Sequence, residues 1–271
     1  MRILGLDTAT RANAGAPCDF GVPCARDGGD ASQSDGFELE ARDDPPSGDR
    51  PRHATRLLAC IIELLARAGS EWDEVDRIAV GLGPGSFTGL RIGVATARAL
   101  GRARAIDLVG VSTLQSLALA AQRHPLSAGT DVVLAVLDAR RGEVFAAGWR
   151  AGGADGAGAI TPTRPPDHTA AGTRAQRLLA PRALTPETLA ERLSELGQRV
   201  LMVGDGAVAF RSILAGAGAK IPPDSSELHK VTAICHCHLA RTVRASATDE
   251  ILPEYLRLPD AEIARRSASR K

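Results

Sequence analysis

The sequence predicts an α/β fold built as two similar halves. Two short apolar runs, Ile3-Leu4-Gly5-Leu6-Asp7 and Leu134-Ala135-Val136-Leu137-Asp138, each read as a buried strand ending in an aspartate. Asp7 and Asp138 stand 131 residues apart, close to half of the 271-residue chain. Between and after these runs, apolar strands alternate with segments of helical period, the pattern of a sheet flanked by helices. We divide the chain into a first half, 1–110, and a second half, 111–271.

The elements follow in order. After Asp7, the segment 11–50 contains Pro17, Pro23, Pro45 and Pro46 among many Gly and Asp residues. It lacks the alternation of a strand, so either the strand expected to pair with the first is remodelled by an insertion or the first sheet is incomplete. Residues 24–36 read as disordered. A helix follows from Arg52 to Ala68, with Leu57, Leu58, Ile61, Ile62 and Leu65 at helical period. A strand at 76–82 enters a glycine turn and a second helix. A short strand at Leu108-Val109 precedes a helix from Ser112 to Gln122. In the second half, Glu143–Trp149 returns from Asp138 as a hairpin, and 151–185, rich in Gly, Ala and Pro, reads as a loop. A helix at Pro186–Leu196, a strand at Val200–Val203 and a turn Gly204-Asp205-Gly206 into another helix complete the pattern. Arg265, Arg266, Arg270 and Lys271 form a basic tail, read as a solvated end.

The glycine turn is the most specific segment. Gly81-Leu82-Gly83-Pro84-Gly85-Ser86-Phe87-Thr88-Gly89-Leu90-Arg91-Ile92-Gly93 fits none of the common phosphate or nucleophile motifs. The Walker loop needs a lysine, and the only lysines are Lys220, Lys230 and Lys271. The dinucleotide fingerprint needs a third glycine where Ser86 stands. The nucleophile elbow needs glycines two residues either side of its serine, where Pro84 and Thr88 stand. What remains is a helix entry with Ser86 or Thr88 as N-cap. Behind it Gly89, Gly93, Ala97 and Gly101 share one helix face, a stripe that lets another backbone approach closely. That backbone belongs either to the chain's own sheet or to a partner helix.

Composition narrows the function classes. A net charge of +1 gives no long-range pull on nucleic acid. No apolar run approaches membrane-spanning length, and no signal peptide is evident. Five scattered cysteines (Cys18, Cys24, Cys60, Cys235, Cys237) suit a reducing cytoplasm better than a disulfide framework.

The glycine segment from Gly83 to Gly93 resembles the signature of the TsaB (YeaZ) family of tRNA threonylcarbamoyladenosine biosynthesis proteins, relatives of the TsaD glycoprotease-like proteins. Agreement extends to Ile3–Thr10, Gly110-Val111-Ser112-Thr113-Leu114, Leu137–Phe145 and Pro253-Glu254-Tyr255-Leu256-Arg257. It is thin between 151 and 200. The resemblance implies the duplicated actin/sugar kinase/Hsp70-like ATPase fold, each half a mixed sheet flanked by helices. Carried over, that fold would set Asp7, Asp138 and the Gly204-Asp205-Gly206 turn beside a nucleotide. The chain departs from the pattern at Asp7-Thr8-Ala9-Thr10, where the first phosphate loop would offer a glycine.

The same resemblance implies a non-catalytic partner and activator of a TsaD-like paralogue. The pair would work with a TsaE-like ATPase in threonylcarbamoylation of the adenosine beside the tRNA anticodon. TsaD relatives hold a metal with two histidines one helical turn apart; here His53 is followed four residues later by Leu57, so no metal site is expected. His53 reads as a surface or helix-start residue, and Cys235-His236-Cys237-His238 as a partly buried helix. Asp138 and Glu143 read as turn-stabilising acceptors rather than a catalytic carboxylate pair, and Arg91 as holding a phosphate or a partner carboxylate, or else as solvated or paired within the chain. The expected docking surface is Leu57, Leu58, Ile61, Ile62 and Leu65 with the stripe Gly89, Gly93 and Ala97. It would serve a homodimer when the paralogue is absent. ATP or ADP is expected at most at the interface of the complex, and tRNA only through the complex. The runner-up functions are an independent ATP-dependent kinase or transferase and a glycoprotease-type peptidase.

Overall fold

The computed structural model describes residues 1–20, 36–45, 49–151 and 177–257. Its framework is two sheets. In the first, β1 (Arg2–Asp7), β2 (Asn13–Asp19), β3 (Ala41–Asp43), β4 (Arg77–Gly83) and β5 (Asp107–Ser112) lie in the order β3-β2-β1-β4-β5. β1 runs antiparallel to β2 and parallel to β4. In the second, β6 (Val132–Arg140), β7 (Glu143–Arg150), β8 (Arg177–Leu184) and β9 (Val200–Val203) lie in the order β8-β7-β6-β9. β6 runs antiparallel to β7 and parallel to β9. Each half thus repeats three antiparallel strands, a helix and a strand returning parallel to the first. The returning crossover helices are α1 (His53–Arg67) and α4 (Pro186–Leu196).

Strand alternation divides the core into three layers. Leu4, Leu6, Ile78 and Val80 face outward onto α1 and α2 (Phe87–Arg104). Ile3, Ala79, Val109 and, from the other sheet, Val133, Ala135 and Leu137 face inward. Between the two sheets lie α3 (Thr113–Gln122) and α7 (Ala233–Ala240). Outside the second sheet, Val132, Leu134 and Val136 pack on α4, α5 (Asp205–Ala209) and α6 (Arg211–Gly216). The inner strands β1, β2, β4, β6, β7 and β9 are mostly buried because helices cover both faces of both sheets, whereas the edge strands β3 and β8 are only partly covered.

Two sequence expectations are corrected. Residues 11–50 do supply the missing strands: β2 pairs with β1 along its whole length, and β3 with β2. Pro17 is accommodated because its polar side faces away from β1. Its carbonyl accepts the Leu39 N–H at 3.2 Å, so the absent N–H lies on the side of the 36–39 segment. The stretch 151–185 is not all loop, since Arg177–Leu184 is β8, antiparallel to β7. The strand at Leu108-Val109 extends over Asp107–Ser112. Most of 24–36 and the basic tail lie outside the described residues. None of the described helices is long and apolar enough to cross a membrane.

The two faces of α1 test this packing. Ile61 is fully buried whereas its neighbour Ile62 is 53% exposed. Ile61→Ala is expected to cost about 2–5 kcal/mol in urea unfolding and Ile62→Ala about 0.5 kcal/mol or less. Equal losses would contradict the register of α1 on the sheet.

Candidate functional site

The signature segment closes on its own chain. Ser86 is the N-cap of α2, its hydroxyl accepting the Gly89 N–H at 3.3 Å. Its own N–H donates to the Ala9 carbonyl at 2.6 Å. Thr8 Oγ1 donates to the Gly89 carbonyl at 2.8 Å. A Cβ on Gly85 would overlap the Ala9 carbonyl, one on Gly89 the Thr8 carbonyl, and one on Gly93 the Thr8 hydroxyl. The glycines therefore let α2 seat on the turn that follows β1, which resolves the stripe in favour of an intramolecular contact.

That placement corrects the expected docking surface. Leu57, Ile61 and Leu65 of α1 and Gly89, Gly93 and Ala97 of α2 are buried within the chain itself. Their helical period serves the chain's own sheet. Of the eight residues, Leu58 and Ile62, at 50% and 53% exposure, are left facing outward.

Beneath the turn, Asp7 is buried and bound on both oxygens. Oδ1 accepts the Ala9 N–H at 2.9 Å, and Oδ2 lies 3.0 Å from Nε2 of His236 on α7. Gly81 leaves room for this pair, since a Cβ there would overlap both side chains. His53 is the first residue of α1, as expected, but it is buried rather than at the surface. Its Nδ1 meets Asn13 Oδ1 at 2.8 Å, and Asn13 Nδ2 donates to Asp43 at 3.2 Å, which fixes the amide orientation. His53 Nε2 has no hydrogen-bond partner among the described residues. Burial holds His53 below the ordinary histidine value of 6.5, opposed by the nearby Asp7 carboxylate.

Between the two halves lies a cleft of about 440 Å³, lined among others by Thr10, Thr88, Asp138, Arg140, Asp205 and Tyr255. Asp138 and Asp205 meet here, two of the residues that the family resemblance set beside one another. The Asp205 carboxylate accepts the Asp138 N–H at 2.9 Å. Asp138 Oδ1 accepts the Arg140 N–H at 2.8 Å and Oδ2 pairs with the Arg140 guanidinium at 3.0 Å. Glu143 instead pairs with Arg257 at 2.8 Å, so the two carboxylates act separately at the hairpin. Gly204 and Gly206 pack against the backbone of β6 and hold Asp205 there.

Three of the backbone amides that line this cleft are engaged within the chain. Ala9, Asp138 and Arg140 N–H groups each already donate to a carboxylate of this chain, those of Asp7, Asp205 and Asp138. A phosphate would have to displace a negative group at every one of them. Residues 253–257 lie across the signature loop: Glu254 N–H donates to the Leu82 carbonyl at 2.7 Å. Tyr255 stacks on Phe87 with centroids 4.9 Å apart. Arg91 lies over Phe87 and donates to the Tyr255 hydroxyl at 3.1 Å, an intramolecular role. Cys235 and Cys237 are buried thiols on α7; burial pushes Cys235 up to about 12. Among the described residues no three His, Cys, Asp or Glu side chains gather in an arrangement suited to a metal ion.

Two mixed sheets of matching strand order, each flanked by helices and meeting at a cleft, make this an actin/sugar kinase/Hsp70-like protein. A family model described as "TsaD: tRNA N6-adenosine threonylcarbamoyltransferase" matches residues 46–265, and the chain belongs to that family. Within it the similarity runs to the TsaB (YeaZ) proteins. The tRNA threonylcarbamoyladenosine biosynthesis protein TsaB of Escherichia coli is 37% identical over 145 residues, 54% of this chain and 53% of that protein. The protein of the same name from Haemophilus influenzae is 38% identical over 94 residues, 34% of this chain and 38% of that protein. The chain thus spans about half of the first relative and just over a third of the second. Among solved structures, a Pseudomonas aeruginosa protein described as similar to the peptidase YeaZ is 26% identical with a TM-score of 0.64. That match covers 94% of this chain and 99% of the other.

Sequence reasoning missed the Asp7–His236 pair, the seat offered by Thr8 and Ala9, and the Phe87–Tyr255 stack. The agreement of Pro253–Arg257 with the family pattern was the one available signal for the last. Two measurements test the site. Gly93→Leu would drive a side chain into Thr8, so the variant is expected to lose the cooperative unfolding transition of the wild type. A variant as stable as wild type would place Gly93 on a free face. His53 tests through pH. A folded-state value below 6.5 means that its contribution to stability is complete above about pH 6.5 and shrinks as pH falls below it. The urea midpoint of wild type is expected to fall more steeply from about pH 7 to 5 than that of His53→Gln. Parallel profiles would show that His53 titrates alike folded and unfolded.

Proposed function

We propose that this chain is a non-catalytic partner and activator of a TsaD-like paralogue in threonylcarbamoylation of the tRNA adenosine next to the anticodon. The observation that carries the reading is that three amides lining the cleft, those of Ala9, Asp138 and Arg140, are held by the chain's own carboxylates. The duplicated fold is kept, and the engagement of these amides within the chain supports a role without phosphate chemistry of its own. The TsaB names of the relatives support the pathway, and the TsaD family match supports a paralogue of the same fold as partner.

In this reading the paralogue carries the transfer chemistry and a TsaE-like ATPase completes the system. The chain meets tRNA only through the complex, in the cytoplasm. ATP or ADP belongs at the interface with the paralogue rather than in this cleft. The outward face of α1 and α2, with Leu58 and Ile62, is the docking surface.

The test is reconstitution with a TsaD-like protein, a TsaE-like ATPase, the threonylcarbamoyl-adenylate donor and tRNA, with and without this chain. Modification is expected to fall at least about tenfold when the chain is omitted. Equal modification would remove the partner role. Tight ATP binding by the isolated chain, lost in Asp138→Ala, would favour the independent kinase or transferase instead.

A further inference from the structure

Residues 251–257 cross from one half of the molecule to the other. Ile251, just after the Thr248–Glu250 turn, is buried in the outer layer of the first half, the layer of Leu57, Ile78 and Leu108. From that root the chain passes over the end of β4, where the Glu254 N–H donates to the Leu82 carbonyl at 2.7 Å. A Cβ on Gly83 would overlap the Glu254 carbonyl, so this glycine lets the segment lie close on the strand end. Tyr255 then stacks on Phe87, and Leu256 packs against the layer between the sheets. Arg257 reaches the second half and pairs with Glu143 at the start of β7. Glu254, Tyr255, Leu256 and Arg257 all line the cleft between the halves.

The segment is held unevenly along its length. Ile251 is enclosed, whereas Leu252 and Tyr255 are 56% and 39% exposed. The contacts beyond the root include a ring pair at the surface, with Arg91 donating to the Tyr255 hydroxyl, and an ion pair whose side chains stay 22% and 35% exposed. Contacts of this kind break locally while a packed core stays intact. The other junction between the halves is of a different kind, since α3 and α7 fill the layer between the two sheets. Opening that layer would unfold the protein; lifting 252–257 would leave it in place.

From this arrangement we infer that residues 252–257 form a releasable latch on the cleft, rooted at Ile251 in the first half and caught by Glu143 in the second. Latched, Tyr255 and Arg257 restrict entry to the cleft. Released, with Arg257 off Glu143 and Tyr255 off Phe87, the latch frees the lining of the cleft for a solute. Any molecule that enters competes with the latch, so its apparent affinity is scaled by the fraction of chains that are unlatched. The inference concerns access to the cleft and does not depend on the docking role proposed above.

Tyr255 is the one tyrosine of the sequence, so 3-fluorotyrosine gives the full chain a single fluorine NMR signal that reads the ring stack. Arg257→Gln is expected to raise the unlatched fraction about threefold and to move this signal toward its position in the unfolded chain. Glu143→Gln is expected to do the same, and Arg257→Glu combined with Glu143→Arg to restore the wild-type signal. Cleft access is read in an Ala139→Cys background, by the rate of iodoacetamide labelling at that position followed by mass spectrometry. That rate is expected to rise about threefold when Arg257→Gln is added. Hydrogen exchange of the wild type needs no variant: the Glu254 amide is expected to exchange through an opening insensitive to low urea, and the Leu4 amide only through global unfolding. If both amides exchange only through global unfolding, the segment is a permanent staple and the latch is overturned. If Arg257→Gln leaves the fluorine signal unmoved, or the exchanged pair fails to restore it, Glu143 is not the catch. If the signal moves but labelling in Ala139→Cys keeps its rate, the segment lifts without controlling the cleft and the gating role is overturned.

Discussion

The structure depends on one contact: the seating of the signature loop on the turn after β1. The Ala9 carbonyl receives the Ser86 N–H while Thr8 and Gly89 exchange a hydroxyl-to-carbonyl bond. This joins the end of β1 to the start of α2 and fixes how α2 lies on the first sheet. The same turn supplies the Ala9 N–H that binds Asp7, and Asp7 in turn reaches α7 through His236. Loop, sheet, outer helix and central helix are thus tied at one place. The glycines there are required by close approach of the chain to itself, and substitution would force the approaching strands apart.

The outer architecture was legible because it is written in local periods. The apolar spacing of α1, each copy of the strand-aspartate unit and the glycine turn each occupy fewer than twenty residues, and each took the secondary structure expected. What misled was composition. Pro17 argued against a strand, yet the side of β2 on which a missing donor matters is decided by neighbours that only the fold supplies. The Gly/Ala/Pro-rich run concealed β8 because a strand paired along one edge to β7 needs little alternation of its own.

The candidate site was legible only in part. Asp138 and Asp205 came together, two residues that the family resemblance and not the repeat had set side by side. Asp7 and His236 are 229 residues apart and belong to no common motif, so nothing local announced their pairing. The period of α1 showed that one face is apolar but not which of its residues the protein covers, and three of the five expected outward point in. The small-residue stripe carries the same ambiguity, since close packing looks identical in sequence whether the opposing backbone is the chain's own or another's.

The position of α7 has a consequence for how the molecule is made. Gly5 on β1 packs directly on Ala233 and Cys237, and Asp7 finds its partner at His236. The sheet that β1 begins therefore lacks its inner cover until about residue 240 has been synthesised. Until then Ile3, Ala16 and Cys18 present an apolar surface with nothing to bury it. Severed near residue 110, the first half would keep its outer helices and lose this cover, so the duplicated halves are not two independently folding modules but one unit completed by its late-emerging segment.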